Sequence, residues 1–213
     1  MAESLEVDTS LQYINKLNVL YLTSNFILDY LRKDYMKLKK GDKIEDITLP
    51  SIDGTTFNFE AIKGKKAMVS FYRYSSCPFC HLRINEIINK KNEFGDNFVP
   101  IAIFDCDFDD LVKNSKKHDG NITILCDDDR VYFDKYEVQN SFFRFLFGIT
   151  IRVDRFFRAL SKGYNPASNM SGAFLGLPAD ILIDENGVVE KALYGAHTAN
   201  HIPMKEVIEF SNS

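Results

Sequence analysis

The sequence is short of the features that mark secreted, membrane-spanning or nucleic-acid-binding proteins. It has 4 cysteines in 213 residues, too few for a disulfide scaffold at this length, so they are expected to be reduced at rest and to be catalytic, metal-binding or simply buried. No apolar run approaches the roughly 18 residues that cross a bilayer. Charge of neither sign dominates, with 26 basic against 30 acidic residues and a formal net charge of −4. That balance excludes a global basic field, so no nucleic-acid partner is expected, and it gives no acidic excess to favour disorder. The opening segment MAESLEVDTS lacks the charged start, apolar core and small-residue cleavage site of a secretory signal, and the cytoplasm is the expected compartment. Internal repeats and low-complexity tracts are missing as well.

What is present begins with Cys77-Pro78-Phe79-Cys80, two cysteines separated by two residues. They stand where the apolar, strand-like run AMVSFYRY gives way to the helical pattern HLRINEIINK. A helix N-terminus offers unpaired backbone N–H groups and the positive end of a dipole, and both stabilise a thiolate. The second sulfur follows one turn later on the same side of the helix. It can therefore attack a covalent adduct formed on the first.

Residues 1–40 are read as an N-terminal helical extension. Leu11, Ile14, Leu17, Phe26 and Leu31 recur at helix-compatible spacings, and Lys37, Lys39, Lys40 and Gly41 resemble a helix stop. Such helices pack on the domain or on a second subunit, so a homodimer is one use for them. Residues 41–213 then alternate short strands and helices, the pattern of βαβ crossovers and a sheet with parallel pairs. Strands are predicted over 55–59, 67–73, 98–104, 122–125, 179–183 and 188–194. Helices are predicted after the cysteines and over 111–117, 131–136 and 204–210. Asp53-Gly54 reads as a turn, and Asn186-Gly187 between apolar runs is a hairpin signal. An insertion at about 139–176 interleaves six phenylalanines from Phe142 to Phe157 with Arg144, Arg152, Arg155 and Arg158. It is read as helical, with its rings in the core. A binding groove or subunit interface is the other use of such a pattern, and contact with a membrane surface is not expected.

Taken in order, GDKIEDITLPSIDGTTFNF, AMVSFYRYSSCPFCHLRINEI, ITILCDDDRVYFDKYEV and LPADILIDENGVV resemble the peroxiredoxins of the alkyl hydroperoxide reductase and thiol-specific antioxidant family. The likeness is to the branch with an arginine-bearing strand followed by CPxC, and it covers roughly residues 41–210. It implies an α/β, thioredoxin-like fold whose central mixed sheet is flanked by helices. In that fold Cys77 is the attacking cysteine and Cys80 the resolving one. Pro178 is expected as a cis-proline facing the sulfur, with its backbone edge free for an extended substrate. Departures from the pattern stand beside the likeness. Tyr74 occupies the place, three residues before the cysteine, usually held by threonine or serine, and Arg73 follows the strand directly. Arg73, Ser75 and Ser76 are assigned the charge and hydrogen bonds of the substrate site.

The resemblance implies a thiol-dependent oxidoreductase that needs no cofactor. In the peroxidase version, Cys77 attacks an O–O bond and Cys80 condenses with the sulfenic acid. In the oxidoreductase version, Cys77 attacks a substrate disulfide and Cys80 resolves the mixed disulfide. A thioredoxin- or glutaredoxin-type reductant resets the pair in both. A non-catalytic thioredoxin-fold binding module is the third reading, and it has no need of two sulfurs at this junction. Cys77 to His81 also spells the haem-attachment pattern C-x-x-C-H, but that chemistry belongs to exported chains with an exposed segment. A zinc site would need two more spaced ligands. Cys106 and Cys126 read as buried small residues, with Cys106 a secondary candidate for redox chemistry at the sheet edge. His118, His197 and His201 read as surface residues, with an approach of His197 or His201 to the active edge as the alternative, and Asp127-Asp128-Asp129 reads as a turn and helix cap rather than a calcium loop.

Overall fold

The computed structural model describes residues 36–118, 120–138, 161 and 176–213, all within one compact unit, Met36–Ser213. The expected amino-terminal helices before residue 36, and all of the expected aromatic–arginine insertion except residues 161 and 176, lie outside the described residues.

The first strands among the described residues are a small antiparallel pair, β1 (Thr48–Pro50) and β2 (Thr56–Asn58). Its turn is allowed by Gly54 at φ 84°, a conformation that costs glycine nothing because it has no Cβ. The strand expected to reach Phe59 stops one residue earlier, because the Asn58 side chain accepts from Glu60 N and caps a short 3₁₀ turn. Then follow β3 (Lys66–Tyr72), α1 (Pro78–Asn89), β4 (Phe98–Phe104), α2 (Phe108–Ser115), β5 (Thr123–Cys126) and α3 (Val131–Lys135). The order closes with β6 (Ala179–Ile183), β7 (Val189–Tyr194) and α4 (Met204–Ser211). Helix α2 begins three residues before the expected start because the Asp107 carboxylate accepts from Asp110 N at its cap. At the amino-terminal boundary, residues 36–39 are not helical, and Gly41 takes its positive φ in a turn rather than at a helix stop.

Five strands form one mixed sheet in the order β5-β4-β3-β6-β7. Strands β3, β4 and β5 run parallel, and β6 and β7 are antiparallel to their neighbours. Strand β3 lies at the centre because it can be covered on both sides, and every residue from Ala67 to Tyr72 is buried. Alternation along it sorts two cores. Ala67, Val69 and Phe71 join Ile101, Ile103, Ile181 and α3's Phe133 on one face. Met68 and Tyr72 belong to the opposite face, where they pack with Ile84 and Ile87 of α1, Leu111 of α2 and Val207 of α4. Each of these large apolar side chains contributes about 1.5–3 kcal/mol on burial. The result is the helix-flanked mixed sheet of a thioredoxin-like fold.

The hairpin β6–β7 turns where Asn-Gly predicted it. The Asp184 carboxylate accepts from Asn186 N and Val188 N, and Gly187 supplies φ 76°.

Candidate active site

The chain leaves β3 at Tyr72, and the next five residues form a tight buried loop into α1. Cys77 N donates to Tyr74 O at 3.1 Å, which folds the loop back so that Cys77 becomes the N-cap residue of α1. Its backbone is extended (φ −61°, ψ 115°), with Pro78 in the first helical turn. Proline suits that turn because its missing N–H would have found no helical partner there. The cap side chain is a sulfur where a serine or aspartate oxygen would be usual. It accepts from Cys80 N at 3.3 Å and from Arg73 Nη2 at 2.8 Å.

These contacts set the charge on the two sulfurs. Burial opposes a thiolate at Cys77. The hydrogen bonds from the Cys80 thiol and amide and the Arg73 guanidinium outweigh burial and pull Cys77 down from its ordinary value near 9 to about 6. Cys80 goes the opposite way. Burial, its hydrogen bond to Cys77 and the nearby negative charge hold it well above the usual thiol value. At neutral pH the pair is one thiolate and one thiol, and Cys77 is the nucleophile of the two. Arg73 resists the cost of its own burial through the charge of Cys77, and its guanidinium lies 5.4 Å from the centre of the Tyr74 ring. Burial and then the Cys77 charge push the Tyr74 hydroxyl upward, keeping it neutral.

The loop is itself held from below. His81 Nε2 meets Ser75 O at 2.8 Å, and His81 Nδ1 meets His118 Nε2 at 3.0 Å. Because a carbonyl can only accept, His81 is protonated at Nε2, and His118 is the donor to Nδ1. Both rings are neutral, with burial first among the causes that depress His81 to about 3 and His118 to about 4. His118 was expected on the surface and is 1% exposed. The Ser75 hydroxyl accepts from Asn114 Nδ2 at 3.0 Å. Ser76 is buried beside the thiolate, and its Oγ has no hydrogen-bond partner among the described residues.

A second buried network lies across the sheet at Asp180. Its carboxylate accepts from Ser70 Oγ at 2.8 Å and from Ile202 N at 2.9 Å, meets His201 Nδ1 at 3.1 Å, and lies 3.9 Å from the Arg83 guanidinium. Burial would raise its pKa, but His201, Arg83 and Ser70 prevail and hold it at about 2. Arg83 also donates to Ile202 O at 2.6 Å and to Glu86 at 3.0 Å. His201, another histidine expected at the surface, is largely enclosed here, with 6% of its side chain exposed. The sequence signal for this network was an aspartate inside the otherwise apolar run ADILI.

Of the six residues assigned from the sequence, the structure brings Arg73, Ser75, Ser76, Cys77 and Cys80 together in this loop and the first turn of α1. Pro178 stands apart from the expected role. The Leu177–Pro178 peptide is trans, because no cis peptide occurs among the described residues. The Pro178 carbonyl accepts from Gly195 N at 2.8 Å, so it is already used within the sheet. The Ala179↔Phe71 register nonetheless carries Pro178 to the sheet edge from which Arg73 emerges. Gly195 is required at that crossing, since a Cβ there would lie 2.9 Å from Pro178 O. A cleft of about 560 Å³ runs along the other side of α1, with Phe79 of the cysteine motif, Arg83, Asn200 and His201 in its lining.

Such a division of charge between neighbouring sulfurs, on a sheet of this order, is that of a thiol-dependent oxidoreductase with a thioredoxin-like fold. The chain belongs to the AhpC/TSA family, whose family model matches residues 40–192. No curated protein matches the sequence. Among solved structures, the chain is similar to a peroxidoxin, BcpB, from Mycobacterium tuberculosis, at 14% identity and TM-score 0.58, over 81% of this chain and 96% of that one. It is also similar to a reduced 2-Cys peroxiredoxin from Plasmodium vivax, at 17% identity and TM-score 0.55, over 80% of this chain and 78% of that one. The thioredoxin domain of a thiol-disulfide oxidoreductase from Bacteroides vulgatus is a third, at 18% identity and TM-score 0.53, covering 83% and 100% respectively. At these identities the likeness carries the fold.

Proposed function

We propose that the protein reduces hydroperoxides through Cys77, with Cys80 as the resolving cysteine and a thioredoxin- or glutaredoxin-type dithiol as the reductant. The observation that carries this reading is the contact between Arg73 and a Cys77 sulfur that is 0% exposed. A small hydroperoxide suits a sulfur so enclosed. Arg73 and the Ser76 hydroxyl, which has no hydrogen-bond partner among the described residues, are the donors offered to the peroxide oxygens. The Cys77 thiolate attacks one oxygen, the O–O bond breaks, and the leaving alkoxide takes up a proton to depart as an alcohol. The resulting sulfenic acid condenses with the Cys80 thiol, forming the disulfide and releasing water. An external dithiol then takes the oxidation away, which makes a reducing, cytoplasmic setting part of the proposal.

Thiol–disulfide exchange is the second reading, favoured by the position of Cys80 one turn from Cys77. Stopped-flow mixing of reduced protein with hydrogen peroxide, and separately with oxidised glutathione, distinguishes the two. Fast thiol loss to peroxide, abolished in Cys77→Ser and leaving a trappable sulfenic acid in Cys80→Ser, is expected. Fast reaction with oxidised glutathione and sluggish reaction with peroxide would overturn the proposal.

A further inference from the structure

Two cysteines remain outside this chemistry, and the fold places them side by side. Cys126 is the last residue of β5 and is in register with Phe104, the last residue of the parallel strand β4. Cys106 follows two residues beyond that strand end. The Cys126 thiol donates to the Cys106 carbonyl at 3.0 Å. The neighbouring Cys126 side chain, together with burial, raises the Cys106 thiol far above its ordinary value. Both are reduced and buried, in the same packed cluster as Cys77 and Cys80.

We propose that Cys106 and Cys126 are a second redox pair, which hydroperoxide converts to a disulfide more slowly than it oxidises Cys77 and Cys80. Closing the pair joins two neighbouring side chains, one of whose thiols already reaches the other residue's backbone, through a bond of about 2.0 Å. One sulfur, as thiolate, attacks the O–O bond and becomes a sulfenic acid while an alcohol leaves. The other thiol then condenses with it and water leaves, so two thiols and one hydroperoxide give a disulfide, an alcohol and water.

Charge explains the difference in rate. Cys77 has the Arg73 guanidinium on its sulfur, whereas Asp107 and Asp110 stand near Cys106 and disfavour a thiolate there. The Arg130 side chain does not reverse this, because it is bound by the carboxylates of Asp105 and Asp134. The second pair therefore stays reduced during ordinary turnover and takes up two more oxidising equivalents under sustained exposure.

The test is a time course of thiol loss with excess diamide, which accepts two electrons and two protons from a dithiol, followed by non-reducing peptide mapping. Diamide makes the outcome independent of whether Cys77 reacts with peroxide. Wild type is expected to lose two thiols quickly and two more at least ten-fold more slowly, with a cross-linked Cys106–Cys126 peptide appearing in the slow phase. The Cys77→Ser/Cys80→Ser double variant should show the slow phase alone and the same cross-link. The wild-type map needs no substitution at all, so the proposal stays testable even if the double variant does not fold. A wild-type protein whose second pair reacts only after addition of denaturant would overturn the proposal. So would one that yields sulfinic acid at Cys106 under excess hydrogen peroxide without the cross-link.

Discussion

Arg73 Nη2 donates to Cys77 Sγ at 2.8 Å, a cation four residues before the sulfur it charges. Replacing Arg73 with methionine keeps volume in the buried site and removes the charge. Alkylation of Cys77 by iodoacetamide at pH 7 is expected to slow roughly ten-fold or more, because only the thiolate reacts. Arg73→Lys should recover part of the rate, since lysine restores charge but not the planar fork. An unchanged rate in Arg73→Met would remove Arg73 from the site.

The two sulfurs should titrate apart. With Cys77 at about 6 and Cys80 held well above its ordinary value, the pH profile of alkylation in reduced wild type should show one wave near pH 6 on the Cys77 peptide. No wave on the Cys80 peptide is expected below pH 9. Cys80→Ala removes a donor to the thiolate and should move the Cys77 wave upward. Mass-spectrometric quantification of the two peptides reads both.

Asp180 is the hub of four partners, so its loss is felt in stability. Asp180→Asn leaves the buried Arg83 guanidinium without its carboxylate and is expected to cost about 3 kcal/mol in urea unfolding. Acid should mimic it. The folded value of about 2 lies below that of the unfolded chain. The contribution of Asp180 is therefore complete above about pH 4, the unfolded carboxylate range. It is lost as pH falls through 2. In the variant that part of the acid dependence should vanish.

The histidine pair acts over a higher window. His81 and His118 are depressed to about 3 and 4, so between these values and the unfolded value near 6.5 the unfolded chain binds more protons. Stability should fall as pH drops through that range, by up to about 1.4 kcal/mol per pH unit for each group. His118→Phe removes one of the two groups. Its unfolding free energy, measured from pH 7 to 4, should fall with about half the wild-type slope, whatever its absolute value. Retention of the full slope would show that His118 is not part of the acid response.

The cysteine motif was legible because its chemistry is local: a strand, a cap and one helical turn fit within Lys66–Asn89. The adjacency of Arg73 was legible for the same reason, although adjacency alone did not say that its guanidinium turns back onto the sulfur. His118 misled because its sequence neighbours are Lys116 and Lys117. The 3₁₀ turn that they share with it rotates the histidine inward onto His81. The expected cis-proline failed at Pro178, where the carbonyl is engaged by Gly195 in the continuation of the β6–β7 pairing.

By itself, the sequence determined the alternation of strands and helices and a dithiol at a helix start. Each follows from side-chain period or from a cap, and both act within a few residues. The resemblance implied Cys77 as the attacking sulfur, but only the tertiary structure showed what makes it the thiolate, since that depends on the aim of Arg73 and of the Cys80 amide onto it. It alone assembled Ser70, Arg83, Asp180 and His201 from three elements and a loop, and set Cys106 against Cys126. Those contacts span strand register and sheet order, and local periodicity carries no information about either.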